Sequence, residues 1–159
     1  MKVSKTNVAR LLDQAKIEYE LVPYDVDEAD LSATHVAEGL GEDPNQVFKT
    51  LVLVGDKTGL IVCIIPGAAQ VDLKLAAKVS GNKKCDMLPM KDLLQQVGYI
   101  RGACSPIGMK KEFPTYIDEH CMQFDHIYIS AGKRGLQVKI APSNLIKFAK
   151  AEVCLLFNS

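Results

Sequence analysis

The chain has 159 residues, 48% of them hydrophobic, which suits one ordinary globular domain with a packed core. Aromatics make up 6% and Trp is absent, so aliphatic side chains must fill that core. Nineteen Lys and Arg balance 19 Asp and Glu, which excludes a uniformly basic nucleic-acid coat and an acidic disordered tail.

In chain order, Val8, Leu11, Leu12 and Ala15 follow the i, i+3, i+4, i+7 spacing of a helix, with Ser4 or Thr6 as N-cap. Residues 19–26 read as a strand that Pro23 confines to an edge or to its own end. Residues 32–40 read as a helix stopped by Gly41. The β-branched run 47–54 and the apolar run 60–65 flank a polar, glycine-containing turn at 55–59, the pattern of a hairpin. Asp72 caps a helix through Val79, closed by Gly81, and residues 91–97 form another that ends at Gly98. After a Gly- and Pro-rich loop at 102–108, strands are expected at 115–117, 127–130 and 136–141. A helix at 144–150, opened by Pro142 and Ser143, and a last strand at 153–157 complete the chain. No linker or repeat divides residues 1–159, so one domain is expected. Hairpins mixed with helices favour an α/β class with a mixed or largely antiparallel sheet.

The five cysteines are scattered and odd in number with no CxxC, which favours a reducing cytoplasmic setting over a disulfide framework or zinc knuckle. The longest uncharged run, residues 58–71, is too short to cross a bilayer. The N-terminus leads into a charged amphipathic stretch, so no signal segment and no membrane association are expected. Charge is unevenly spread: residues 1–43 carry 4 basic and 10 acidic side chains, and the remainder carries 15 and 9. The two portions either pair with each other or leave a basic surface for an anionic partner.

Lys49 is the most informative position. It leads an apolar strand, so its ammonium either snorkels to water or sits in a pocket holding a phosphate or oxyanion. Gly102-Ala103-Cys104-Ser105-Pro106-Ile107-Gly108 is either an ordinary loop or one whose bare backbone, at Gly102 and around Ser105, approaches a ligand before Pro106 fixes the chain. It lacks the spacing of a P-loop or a dinucleotide fingerprint. Ser130-Ala131-Gly132-Lys133-Arg134-Gly135 is a cationic turn, either solvated or in contact with nucleic-acid phosphates through Gly132, Lys133 and Arg134. His35, His120 and His126 lack metal-ligand spacing, and Cys104 reads better as a small buried hydrophobe than as a nucleophile. Ser105 is outside any G-x-S-x-G elbow, so no serine triad is evident.

The ordered set Val47-Phe48-Lys49-Thr50-Leu51, the 102–108 loop, Phe113-Pro114-Thr115-Tyr116-Ile117-Asp118 and Ile129 through Leu136 resembles the YbaK-type aminoacyl-tRNA deacylases. These are free-standing relatives of the editing domain inserted in bacterial prolyl-tRNA synthetases, and the resemblance covers nearly the whole chain. It implies an α/β fold with a mixed, largely antiparallel, barrel-like sheet flanked by helices around a substrate cleft. It also implies deacylation of Cys-tRNA(Pro), with Cys-tRNA(Cys) as a further substrate, beside prolyl-tRNA synthetase and without metal or cofactor. Lys49 matches the family's essential lysine, Gly102 and Pro106 its GxxxP loop, and Tyr24, Thr50 and Ser130 its polar pocket positions. Gln137 stands where relatives commonly carry an acidic residue, which leaves that carboxylate's role unfilled here. In the family's route the substrate thiol attacks its own ester, so orientation and charge stabilisation replace a protein nucleophile. An adaptor that binds tRNA or synthetase without catalysis, and a deacylase preferring Ala-tRNA(Pro), are the alternatives.

Overall fold

The computed structural model describes residues 5–158. Helix α1 (Asn7–Gln14) starts at Thr6, whose side chain accepts the Ala9 N–H, and buries Val8, Ala9 and Leu12; Ser4, the other candidate cap, lies outside the described residues. Strand β1 (Glu20–Pro23) ends at its proline, as expected of a residue without an N–H to donate. Helix α2 (Ala33–Leu40) is capped by the Ser32 side chain and stopped by Gly41 at φ +71°.

Strands β2 (Phe48–Gly55) and β3 (Gly59–Pro66) pair antiparallel along their whole length. Gly55 and Gly59 face each other in the ladder, so the turn contains three residues and not the expected five. The shortening has a tertiary cause. Asn82 Oδ1 accepts the N–H groups of Lys57 and Thr58 at 2.8 and 3.0 Å, so the tip is fixed from outside the hairpin. Helix α3 (Leu73–Ser80) is capped by Asp72 and closed by Gly81.

Strand β4 (Cys85–Met87) was not legible as a strand, because three residues are too few to display alternation. The helix expected at 91–97 divides into a 3-10 turn, Met90–Asp92, and α4 (Leu93–Val97). Strands β5 (Thr115–Asp118), β6 (Ile127–Ser130) and β7 (Leu136–Ile140), helix α5 (Pro142–Ala149) and strand β8 (Glu152–Cys154) follow.

The strands form two sheets, β1-β7-β6 and β4-β2-β3-β5-β8. Pairing is antiparallel except for β3 with β5 and β5 with β8, so the sheets are mixed and largely antiparallel. The barrel-like closure is corrected. Among the described residues the two sheets join by one bridge, Val47 to Tyr128, and no closed barrel forms. β6 and β4 both approach the same edge of β2, β6 at its beginning and β4 at its end, and the edge between them stays open.

The β2–β3 hairpin is buried on both faces. Phe48, Val62 and Ile64 pack with Ile127, Ile129 and Val138 of the smaller sheet and with Leu12 and Leu145 of α1 and α5. Leu53, Ile61, Cys63 and Ile65 pack on Ala76 and Ala77 of α3 and on Leu156. Double burial explains why residues 60–65 read as an unbroken apolar run. No helix among the described residues is long and apolar enough to cross a membrane.

Candidate active site

A cavity of about 380 Å³ occupies the gap where β6 and β4 splay apart along β2. Its walls come from Phe48 to Leu51 of β2, from Tyr24, Leu31 and Ser32 after β1, and from Arg101, Gly102 and Cys104 of the glycine loop. Ser130 at the end of β6, Gln137 of β7, and Met90 and Leu93 also line it.

The open edge exposes main chain as well as side chains. Leu88 N–H donates to the Val52 carbonyl, so Val52 points its backbone groups away from β3. Thr50 has the same parity, so its N–H and C=O also point out of that edge, where no strand pairs with them. Lys49 is half-buried beside it, with no carboxylate partner among the described residues, and burial lowers its pKa below the ordinary lysine value.

Two further polar groups are unmet. Among the described residues, Thr50 Oγ1 and Gln137 Oε1 are buried with no hydrogen-bond partner, in residues 9% and 5% exposed. Buried polar atoms in native proteins are nearly always paired, and each orphan costs about 1–3 kcal/mol. Two orphans in one cavity indicate acceptors held ready for a ligand. Thr50→Val, which removes one orphan at nearly constant volume, is therefore expected to raise the unfolding midpoint in a thermal melt while weakening ligand binding.

Ser130 is already engaged. Its Oγ donates to the Ala103 carbonyl at 2.8 Å and accepts the Gly132 N–H at 3.1 Å, tying the glycine loop to the β6–β7 turn. Gly102 adopts φ +84°, and a Cβ there would lie 3.1 Å from Arg134 Nε and 3.2 Å from Leu31 Cδ1. Glycine is thus needed for its dihedral, and a side chain there would also press on Arg134 and Leu31. Among the described residues no acceptor meets the N–H of Gly102 or of Cys104. The Cys104 thiol has its pKa pushed up to about 12 by burial, so it stays protonated and cannot serve as a ready nucleophile.

The structure brings Tyr24, Lys49, Thr50, Gly102, Ser130 and Gln137 to one cavity. The remaining candidate residues lie elsewhere. Ser105 is fully buried and its Oγ accepts the Ile107 N–H at 3.3 Å, which shapes the loop from within. Pro106 faces a different groove, of about 760 Å³, with Leu11, Phe113 and Phe148. Gly132 packs its backbone against Val8 and Tyr99, while Lys133 is exposed at the tip of the turn. Arg134 is ion-paired with Glu28, and its Nε donates to the Arg101 carbonyl at 2.9 Å. Sequence reasoning did not select Leu31, Arg101 or the Thr50 main chain. None of the three left a local pattern, since the free edge at Thr50 depends on where β4 and β6 stop along β2.

A third, polar cleft of about 410 Å³ lies between Gln46, His126, Tyr128 and Lys139. It contains neither orphaned acceptor.

The chain is similar to known proteins in sequence and in fold. The family model described as an aminoacyl-tRNA editing domain matches residues 28–148. The chain is 50% identical over 148 residues to an Enterococcus faecalis protein provisionally named Cys-tRNA(Pro)/Cys-tRNA(Cys) deacylase EbsC, covering 93% of this chain and 90% of that one. It is also 29% identical over 107 residues to a proline–tRNA ligase of Shouchella clausii, covering 67% of this chain and 19% of the ligase. A crystal structure described provisionally as a trans-editing enzyme for prolyl tRNA synthetase superposes with a TM-score of 0.83 at 21% identity, covering 98% of this chain and all of that one. The hypothetical protein APE2540 superposes with a TM-score of 0.86 at 16% identity, covering 95% and 99%.

Proposed function

Because the chain belongs to the aminoacyl-tRNA editing domain family, it is read as an aminoacyl-tRNA deacylase, and we propose that it removes cysteine from Cys-tRNA(Pro), and from Cys-tRNA(Cys), by using the substrate's own thiol. The observation that carries this reading is the pairing in one cavity of an unpartnered lysine with two orphaned buried acceptors. An aminoacyl ester presents the complementary groups. Its α-ammonium needs acceptors, which Thr50 Oγ1 and Gln137 Oε1 supply. Its carbonyl gathers negative charge during cleavage, which the Lys49 ammonium and the free N–H groups of Thr50, Gly102 and Cys104 oppose.

The nucleophile is the remaining requirement. The cavity's own thiol, Cys104, is held protonated by burial, and among the described residues neither Ser32 nor Ser130 is hydrogen-bonded to an imidazole ring: Ser32 Oγ accepts the His35 main-chain N–H, and Ser130 Oγ is taken by Ala103 and Gly132. The substrate thiol supplies the attack: a sulfur–carbon bond forms, the carbon–oxygen bond to the ribose breaks, and the thiol proton passes to the departing ribose oxygen. The product is a cyclic thioester of cysteine, which water then opens. Gln137 accepts without charge, and no Asp or Glu among the described residues lines this ammonium site. Prolyl-tRNA synthetase is the proposed partner, selecting the tRNA in the reducing cytoplasm.

Purified protein alone should release cysteine from Cys-tRNA(Pro). Binding without cleavage would make it an adaptor, and preferential release of alanine from Ala-tRNA(Pro) would reassign its substrate.

The depressed Lys49 pKa sets a pH dependence. Folded Lys49 loses its proton at lower pH than the unfolded chain, so between the two pKa values the unfolded state binds more protons and stability rises with pH. Activity runs the opposite way. Enzyme-dependent deacylation, after subtraction of spontaneous hydrolysis, should fall at alkaline pH in two parts, one from the substrate's α-ammonium and one from Lys49 below the usual lysine value of 10.5, and Lys49→Arg should remove only the second.

A further inference from the structure

The acidic segment after β1 borders the cavity of a protein whose proposed substrate is a polyanion. Residues 25–30 include Asp25, Asp27, Glu28 and Asp30. Asp27 and Asp30 are used locally, accepting the N–H groups of Ala29 and Ser32. Glu28 instead reaches across the chain to Arg134, 106 positions away. That guanidinium also donates to the Arg101 carbonyl and lies against Gly102. The β6–β7 turn is stitched to the same segment by Tyr24 N–H donating to the Gly135 carbonyl at 3.0 Å. One arginine therefore joins the acidic segment, the glycine loop and the β6–β7 turn.

The two partners differ in exposure. The Glu28 side chain is 69% exposed and Arg134 27%. Arg134 is held by the Arg101 carbonyl as well as by the ion pair, whereas the largely exposed Glu28 side chain has no other hydrogen-bond partner among the described residues. A guanidinium fork binds carboxylate and phosphate with the same geometry.

We propose that Glu28 is a built-in substitute for a nucleic-acid phosphate, held on Arg134 beside the cavity and displaced when the RNA end arrives. The inference rests on the deacylase reading and adds to it the residue that receives a phosphodiester and the residue that must release it. Exchange means that wild-type Arg134 gives up a carboxylate rather than a mobile counterion. Its phosphate contact is then missing from the salt dependence of binding.

Binding of an uncharged tRNA acceptor minihelix, measured across a salt series, tests this. Glu28→Gln should tighten binding about threefold to tenfold and steepen the log–log salt slope by about 0.7. Arg134→Gln should weaken binding and abolish the effect of Glu28→Gln in the double variant. Unchanged affinity and slope in Glu28→Gln, or a gain that survives in the Arg134→Gln background, would overturn the exchange. If wild-type protein neither binds nor deacylates RNA, the deacylase reading itself fails, and the exchange with it.

Discussion

Lys49→Ala is expected to lower kcat/KM on Cys-tRNA(Pro) by about 100- to 1,000-fold, the scale on which a single preorganised stabiliser of developing oxyanion charge acts. The loss should appear mainly in kcat, because the ammonium interacts more strongly with the charge that forms during cleavage than with the neutral ester. The fold should survive. Lys49 makes no ion pair among the described residues, and burial disfavours its charged form, so removing it relieves desolvation. A thermal midpoint at or above the wild-type value, together with lost turnover, separates a chemical role from a structural one. Near-normal turnover would remove Lys49 from the mechanism.

The second large effect concerns the substrate. Serine and cysteine esters on the same tRNA differ by one atom, and a pocket discriminating by size alone separates such close analogues by only about 1–3 kcal/mol. Alanine is smaller still and enters the same space. If the substrate thiol is the attacking group, Ser-tRNA(Pro) should be cleaved about 100-fold or more slowly than Cys-tRNA(Pro), because a hydroxyl is far less nucleophilic than a thiol with thiolate available near neutral pH. Ala-tRNA(Pro) should fall to the uncatalysed rate. Equal single-turnover rates for the cysteine and serine esters would require a water or protein nucleophile. The raised pKa of Cys104 already argues against the thiol that lines the cavity.

The limits of legibility follow from the range of the interactions involved. Asp72, Gly41 and Gly81 mark helix ends through contacts within a few residues and could be placed from sequence, whereas Thr6 stands beside Ser4 as a candidate cap and Ser32, the cap of α2, reads as its first helical residue. The β2–β3 hairpin was legible because its apolar runs are long. Its turn length was misjudged because Asn82, 24 positions beyond Thr58, fixes the tip. Lys49 stood out as a charge at the head of an apolar strand. The open edge beside it was invisible, since it depends on where β4 and β6 end in space.

The glycine loop illustrates the same limit. The family resemblance groups Gly102 and Pro106 as a unit, but only the fold separates them onto two faces, one toward Lys49 and the other toward Phe113 and Phe148. Arg134 read as a free cation at a turn. Its two contacts, Glu28 and the Arg101 carbonyl, lie 106 and 33 positions away and left no local pattern to detect.

The claim on which the account depends is that the aminoacyl end is held in the cavity beside Lys49. Adenosine carrying cysteine through a 3′-amide, which resists cleavage, can be titrated into isotopically labelled protein and followed by NMR. The account predicts that the Lys49 Nζ resonance and the amide resonances of Thr50, Gly102 and Cys104 shift together and saturate with one binding constant. If those resonances stay fixed while His126, Tyr128 and Lys139 respond, the substrate occupies the polar cleft instead and the account is contradicted.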